Sequence, residues 1–216
     1  RWTHPERGPV PPDRFIGLAE DCGLIGEVGA FLLRRTARDL DSWRRRAFRP
    51  DRLAINISPL QFRRGDLVTE VRRFLDGVEL DATQLELELT ETALLEADSR
   101  TQRAIHGLHR LGVSLALDDF GTGFSSLSNL QRFPVQRVKI DRSFVRNMPR
   151  KPRDATLARA IIGLAHGLGM KVVAEGVENE VQLDMLHAFG CDEWQGFLKS
   201  QPIAATAVPS FSLADA

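Results

Sequence analysis

Val113-Ser114-Leu115-Ala116-Leu117-Asp118-Asp119-Phe120-Gly121-Thr122-Gly123-Phe124 opens on a short apolar run and breaks off on two consecutive carboxylates. A run of that length, cut short by polar residues and glycine, reads as a strand rather than a helix. Its ending separates two α/β architectures. A dinucleotide-binding fold places three spaced glycines after such a strand, and here only Gly121 and Gly123 follow. A (β/α)₈ barrel instead gathers polar residues at the C-terminal ends of its strands. Asp118-Asp119 has that placement.

The same pattern recurs along the chain. Leu53-Ala54-Ile55-Asn56-Ile57 and the alternating Leu85-Glu86-Leu87-Glu88-Leu89 come before it. Arg137-Val138-Lys139-Ile140, Met170-Lys171-Val172-Val173-Ala174 and the weaker Cys191-Asp192-Glu193-Trp194-Gln195 come after. Helical patterns lie between them, over Ser99 to Leu111, Thr156 to Leu168 and Asn179 to Phe189. Ahead of the first strand, Asp13 starts a helix behind Pro9, Pro11 and Pro12. A longer amphipathic pattern then runs from Gly26 to about Arg46, with Val28, Phe31, Leu32, Leu40 and Trp43 as its apolar side. Strands alternating with helices predict a parallel sheet of βαβ units. An open doubly wound sheet fits that alternation, but the polar strand ends and the absent fingerprint favour the barrel. The expected fold is α/β, a (β/α)₈ TIM-type barrel in which about six of the eight strands are present, forming one domain over residues 1–216. The abrupt opening at Arg1-Trp2 assigns the two missing strands to the N-terminus.

Composition excludes several function classes. Hydrophobic residues make up 43% and charged residues 27%, an ordinary globular balance. Lys plus Arg and Asp plus Glu both number 29, so no basic excess exists to serve a broad nucleic-acid surface. No apolar run approaches the roughly 20 residues that span a bilayer, so membrane contact by this segment is not expected. Cys22 and Cys191 are the only cysteines and lie far apart. They exclude a disulfide scaffold and fit a reducing, cytoplasmic compartment, although an anchor could lie elsewhere in a longer parent protein.

A barrel would bring Asn56, Glu88, Asp118, Asp119, Lys139, Glu175 and Gln195 into one ring. Each alone reads as a helix cap or a surface group. Together, the four carboxylates among them repel one another unless positive charge sits there too. The donors are all oxygen, which suits Mg²⁺ or Mn²⁺ rather than zinc. Asp118-Asp119 can bridge one metal and reach a second. Lys139 is one of four lysines among 29 basic residues. A structural ion pair is its plain reading, whereas in a two-metal site it would orient and polarise an attacking water, as phosphodiester hydrolysis requires. His4, His106, His109, His166 and His187 fall on helices or the N-terminal loop and read as surface or packing residues.

These residues carry a family resemblance. The chain resembles the EAL domain, the cyclic di-GMP-specific phosphodiesterase domain of bacterial signalling proteins. Its opening, RWTHPERGPVPPDRFIGLAEDCGLI, resembles the segment after that family's Glu-Ala-Leu signature. Asn56-Ile-Ser-Pro-Leu-Gln61 resembles the Asn-x-Ser-x-x-Gln motif, and Glu88-Leu-Thr-Glu91 the Glu-x-Thr-Glu motif. Asp118 to Leu127 resembles the long catalytic loop, and Lys139-Ile-Asp141, Ala174-Glu-Gly-Val-Glu178 and Gln195-Gly-Phe-Leu complete the series. Any one motif is weak; the ordered set is specific.

The resemblance implies a (β/α)₈-type barrel with one antiparallel strand, two Mg²⁺ or Mn²⁺ ions, and hydrolysis of cyclic di-GMP to linear pGpG. It implies that Asn56, Glu88 and Asp118 bind the first metal, and Asp118, Asp119 and Glu175 the second. Lys139 would contact the catalytic water, and Gln195 would support the metal-water network. Arg1, Gln61 and Glu178 would bind or adjoin substrate, with Arg1 on a phosphate. Glu91 would anchor the loop from Asp119 to Ser126, part of the usual homodimer interface, and an upstream regulatory domain often accompanies such a domain. The signature glutamate should stand four residues before Arg1. Its absence favours a rival reading, an inactive receptor for cyclic di-GMP or a partner protein. A third reading, which the spacing alone does not exclude, is a barrel enzyme performing other metal-assisted chemistry. The acids that remain match an active enzyme.

Overall fold

A computed structural model describes residues 2–64, 66–121 and 132–211. The chain begins with a small antiparallel hairpin, β1 (Trp2–His4) and β2 (Gly8–Val10), too short to leave a periodic signal in the sequence. Helices α1 (Pro12–Asp21) and α2 (Ile25–Arg45) follow. In α2 the buried seam is Ile25, Gly29, Leu33 and Leu40, while Phe31 and Leu32 are exposed. The expected apolar side is therefore rotated. Gly29 explains the rotation, because a Cβ there would lie 2.2 Å from Nε2 of Gln61. The helix packs where a glycine admits a neighbour, rather than where its largest side chains point.

Six strands then form one parallel sheet in sequential order: β3 (Leu53–Ile57), β4 (Leu85–Thr90), β5 (Ser114–Phe120), β6 (Arg137–Ile140), β7 (Lys171–Glu175) and β8 (Glu193–Gln195). The described connecting helices are α3 (Pro59–Arg64), α4 (Leu67–Asp76), α5 (Glu91–Leu95), α6 (Ser99–Arg110), α7 (Arg142–Asn147), α8 (Pro152–Gly167) and α9 (Glu180–Phe189). Side chains start several of them. Asp66, Asp98, Asp141 and Asn179 each accept a backbone N–H of the first turn, satisfying donors that the helix itself leaves open. Helix α8 begins four residues before the expected Thr156, because Pro152 occupies its first turn, where a missing N–H costs nothing.

Successive strand residues point to opposite faces. Leu85, Leu87 and Leu89, Leu115 and Leu117, Val138 and Ile140, and Val172 and Ala174 are fully buried among Val71, Ile105, Leu108, Ile162 and Leu186. Each such large aliphatic side chain contributes roughly 1.5–3 kcal/mol, so this outer layer holds the helices on the sheet. The alternate residues line the inner face, and they include the polar ones, Glu86 and Glu88, Arg137 and Lys139, Glu193 and Gln195, beside Ala116 and Val173.

The sheet is strongly curled. Strands β3 and β8 are the two ends of the strand order, yet Nη2 of Arg52, which immediately precedes β3, donates to Oε2 of Glu193 in β8 at 2.7 Å. Five strand spacings in a flat sheet would separate those edges by about 24 Å. A curled parallel sheet of six strands with outer helices is a truncated TIM-type barrel, as the strand endings predict.

Candidate metal and catalytic site

Parallel pairing carries the predicted polar residues to one rim. Asn56 pairs with Glu88, Thr90 with Asp118, and Glu175 with Gln195, all at or near strand C-termini. At the end of β5 the register against β6 shifts between Leu117 and Phe120. Within that irregularity Asp119 adopts φ of 54°, a left-handed conformation that is strained for a residue other than glycine. An extra residue at a bulge re-aims side chains, and here it brings two consecutive carboxylates to the rim. One carboxylate oxygen each from Asp118, Asp119 and Glu175 can lie within 4.8 Å of the others.

Lys139 stands at the centre. Its Nζ is 2.6 Å from Oε1 of Glu175, 2.8 Å from Oε2 of Glu88 and 3.1 Å from Oδ1 of Asp118. Burial pushes the ammonium towards neutrality, but the Glu88 and Glu175 carboxylates reverse this and hold it above the ordinary lysine range. Lys139 is therefore a fixed cation. Gln195 Nε2 donates to the same Glu175 oxygen at 2.7 Å and orients it. Burial raises the Glu175 carboxyl, against the pull of Lys139. Burial, Asp118 and Asp141 raise Asp119 together. Burial is the leading cause of both shifts, and neighbouring carboxylates add to it, several acids sharing the one Lys139 ammonium.

That imbalance tests whether divalent cations fit. Glu88, Asp118, Asp119 and Glu175 supply four negative charges when ionised against one ammonium, leaving three uncompensated. The donors are oxygens, and they come from several strands. Hard divalent cations match both the charge and the donor type. They fit.

The remaining predicted residues lie around this centre. Glu91, at the start of α5, is buried; its Oε2 accepts the Gly121 N–H at 3.4 Å, and its Oε1 has no partner among the described residues. The loop beyond Gly121 to which Glu91 was assigned lies outside the described residues from Thr122 to Asn129 and on to Gln131, and so does Arg1. Glu178 is exposed on the turn before α9. Gln61 stands apart: it is buried against Gly29, and its Oε1 accepts the Ser58 N–H at 3.0 Å. It and Asn56 also line a narrow apolar cleft of about 250 Å³ with Ile25, Leu33 and Ile57. Asp141, which stands in the Lys139-Ile-Asp141 motif but was given no role from sequence, caps α7 and faces Asp119. Glu86, Arg137, Glu193 and Arg52 also went unassigned, although period-two spacing puts the first three on the same face as Glu88, Lys139 and Gln195.

The chain is similar to proteins already known. The EAL domain family profile matches residues 1–202. The cyclic di-GMP phosphodiesterase NbdA of Pseudomonas aeruginosa is 45% identical over 211 residues, which is 98% of this chain and 27% of that protein. The solved PaMucR phosphodiesterase, in complex with c-di-GMP, superposes with a TM-score of 0.90 at 38% identity, covering 96% of this chain and 84% of that one. A manganese and cyclic di-GMP complex of Klebsiella pneumoniae BlrP1 aligns with a TM-score of 0.77 at 29% identity, covering 92% and 50%. The chain spans about a quarter of the length of the curated relatives it matches. With its motifs in order, its strands curled alike and its profile matched over nearly the whole length, this chain belongs to the EAL domain family.

Proposed function

We propose that this domain hydrolyses cyclic di-GMP to linear pGpG with two Mg²⁺ or Mn²⁺ ions. The observation that carries the reading is the single rim on which Glu88, Asp118, Asp119 and Glu175 converge around buried Lys139. Relatives with this domain are named for that activity or solved with that nucleotide. Asn56, Glu88 and Asp118 would hold one cation, and Asp118, Asp119 and Glu175 the other. When bound, such cations supply Lewis-acid stabilisation of charge on the phosphoryl oxygens.

The chain's own residues do the rest. Lys139 holds its proton and places a fixed positive charge where the phosphodiester gains negative charge, a preorganised stabilisation. Gln195 keeps Glu175 turned inwards. Glu178 and Arg1 adjoin the substrate, with Gln61 supporting that side through the turn at Ser58. Glu91 anchors the loop after Asp119, and the proposal extends to a cytoplasmic homodimer that uses this loop. The described residues contain no helix long and apolar enough to cross a membrane.

The test incubates the purified protein with cyclic di-GMP and Mn²⁺ and follows pGpG by chromatography. Cleavage that EDTA abolishes is expected. Tight binding of cyclic di-GMP without any cleavage would place the domain among receptors instead.

A further inference from the structure

Beneath the rim lies a second charged storey. Arg137 Nη1 donates to Oε2 of Glu86 at 2.8 Å, and its Nη2 to Oε1 of Glu193 at 3.0 Å. Arg52 closes the circuit, 2.7 Å from Glu193 and 3.8 Å from Glu86. Two guanidiniums and two carboxylates thus form a ring that is neutral overall, with Glu86 only 3% exposed. Buried ion pairs are weak contributors to stability, because desolvation cancels most of the attraction. The Arg137–Glu86 pair is the buried half of the ring, with Arg52 and Glu193 partly exposed, and its place inside a barrel needs another explanation.

Its registration supplies one. Glu86, Arg137 and Glu193 each sit two residues before a rim residue on the same strand, namely Glu88, Lys139 and Gln195. Arg52 sits four residues before Asn56. Strands β4, β6 and β8 are not direct neighbours. The ladders through β5 and β7 set their spacing along the sheet but leave the curl of the sheet, and so the distance across its interior, to be braced by other contacts. Side chains that cross the interior are such braces. The guanidinium of Arg137 divides its two terminal nitrogens between β4 and β8, and thereby braces both cross-distances at once. We propose that Arg137 is a positioning residue, which with Glu86 and Glu193 holds Glu88, Lys139 and Gln195 at the separation that divalent-cation binding and turnover require.

This inference rests on the metal-dependent reading above, and the experiment separates the two. The 216-residue chain and two variants, Arg137→Lys and the double variant Arg137→Met/Glu86→Met, are compared. Mn²⁺ affinity is read by electron paramagnetic resonance, folding by thermal melting, and turnover of cyclic di-GMP by its kcat and KM. The double variant exchanges a buried pair for apolar side chains of similar length and is expected to melt at or above the parent temperature. It should nevertheless bind Mn²⁺ about tenfold more weakly or worse, the usual cost of losing an outer support of metal ligands. Its kcat should fall more than its KM changes. Parental Mn²⁺ affinity in a folded double variant would reduce the ring to packing and overturn the proposal. If the double variant does not fold, Arg137→Lys carries the test with the same two outcomes, since lysine keeps the charge but cannot hold both carboxylates from one planar group. A parent that binds Mn²⁺ yet leaves cyclic di-GMP intact would sink the proposed activity, with positioning still decided by affinity. A parent without Mn²⁺ affinity overturns both.

Discussion

Lys139 Nζ and Glu175 Oε1 lie 2.6 Å apart on adjacent parallel strands, and the same Glu175 oxygen takes the Gln195 amide at 2.7 Å. One carboxylate therefore joins three strands at the rim. Because Glu88 and Asp118 also reach Lys139, this single ammonium organises the inner ends of β4, β5 and β7.

Removing that ammonium should damage the metal-free protein most. In Lys139→Met, Glu88, Asp118 and Glu175 face one another without compensation. Breaking a buried ionic cluster by deleting one partner costs about 3–5 kcal/mol. Thermal melts in EDTA should show a large drop, and Mg²⁺ should recover much of it by replacing the missing charge. Turnover should remain abolished even when folding is restored. A Lys139→Met protein as stable as the parent in EDTA would mean that the cluster is not held by this cation.

The raised carboxyls of Asp119 and Glu175 make a pH prediction with a definite sign. Both bind protons more tightly in the metal-free folded chain than in the unfolded chain, where carboxyls titrate near about 4. Their contribution is most favourable below that value and is lost as pH rises through the raised folded values. In EDTA, stability should therefore fall with rising pH across the mildly acidic range, relative to Glu175→Gln. Saturating Mg²⁺ should remove the difference, and calorimetry in buffers of different ionisation enthalpy should register protons released on metal binding. Parallel pH curves for parent and Glu175→Gln in EDTA would rule this out.

Asp118→Ala isolates the carboxylate proposed to serve both cations. The residue is half-buried in a polar ring and packs little apolar surface, so its melting temperature should stay near that of the parent. Its Mn²⁺ affinity and cyclic di-GMP turnover should both collapse, because both proposed cation positions share it. Parental turnover with Mg²⁺ would take Asp118 out of the mechanism.

The strands and their polar endings were legible because burial on one face and chemistry on the other impose short apolar runs with acids at fixed places. Leu115 and Leu117 face helices, and Asp118 ends the run. Other features left no such trace. The hairpin of β1 and β2 has three residues per strand, below any periodic signal. Phe31 and Leu32 look like core in sequence and are exposed, because the local contact is made through Gly29 and Gln61. The ring of Arg52, Glu86, Arg137 and Glu193 reads as an ordinary polar strand face until closure brings distant strands together. Long-range charge pairing is a property of the curled sheet rather than of any one strand.

Gly196 offers the sharpest test of how the rim is closed. A Cβ at this position would lie 2.1 Å from the carbonyl oxygen of Val177 and 2.3 Å from its nitrogen. Both are backbone atoms of the turn after β7, so no rotamer change relieves the clash. The same contact region carries the Val177 N–H to Gln195 carbonyl bond at 3.1 Å and the Leu198 N–H to Val177 carbonyl bond at 3.0 Å. Gly196→Ala must push the end of β8 away from that turn and stretch both bonds, each worth about 1 kcal/mol net. With the strain added, a loss of about 2–4 kcal/mol is expected. Gln195 would also be pulled from Glu175, so the Glu175 carboxylate loses its orientation and Mn²⁺ affinity falls with stability. Gly163→Ala in α8 is the matched control, because nothing lies within 4 Å of its added Cβ. In an exposed helix interior that change should stabilise the fold by up to about 1 kcal/mol and leave Mn²⁺ binding untouched. Equal melting temperatures and equal Mn²⁺ affinities for the two variants would show that β8 does not close against the turn at Val177.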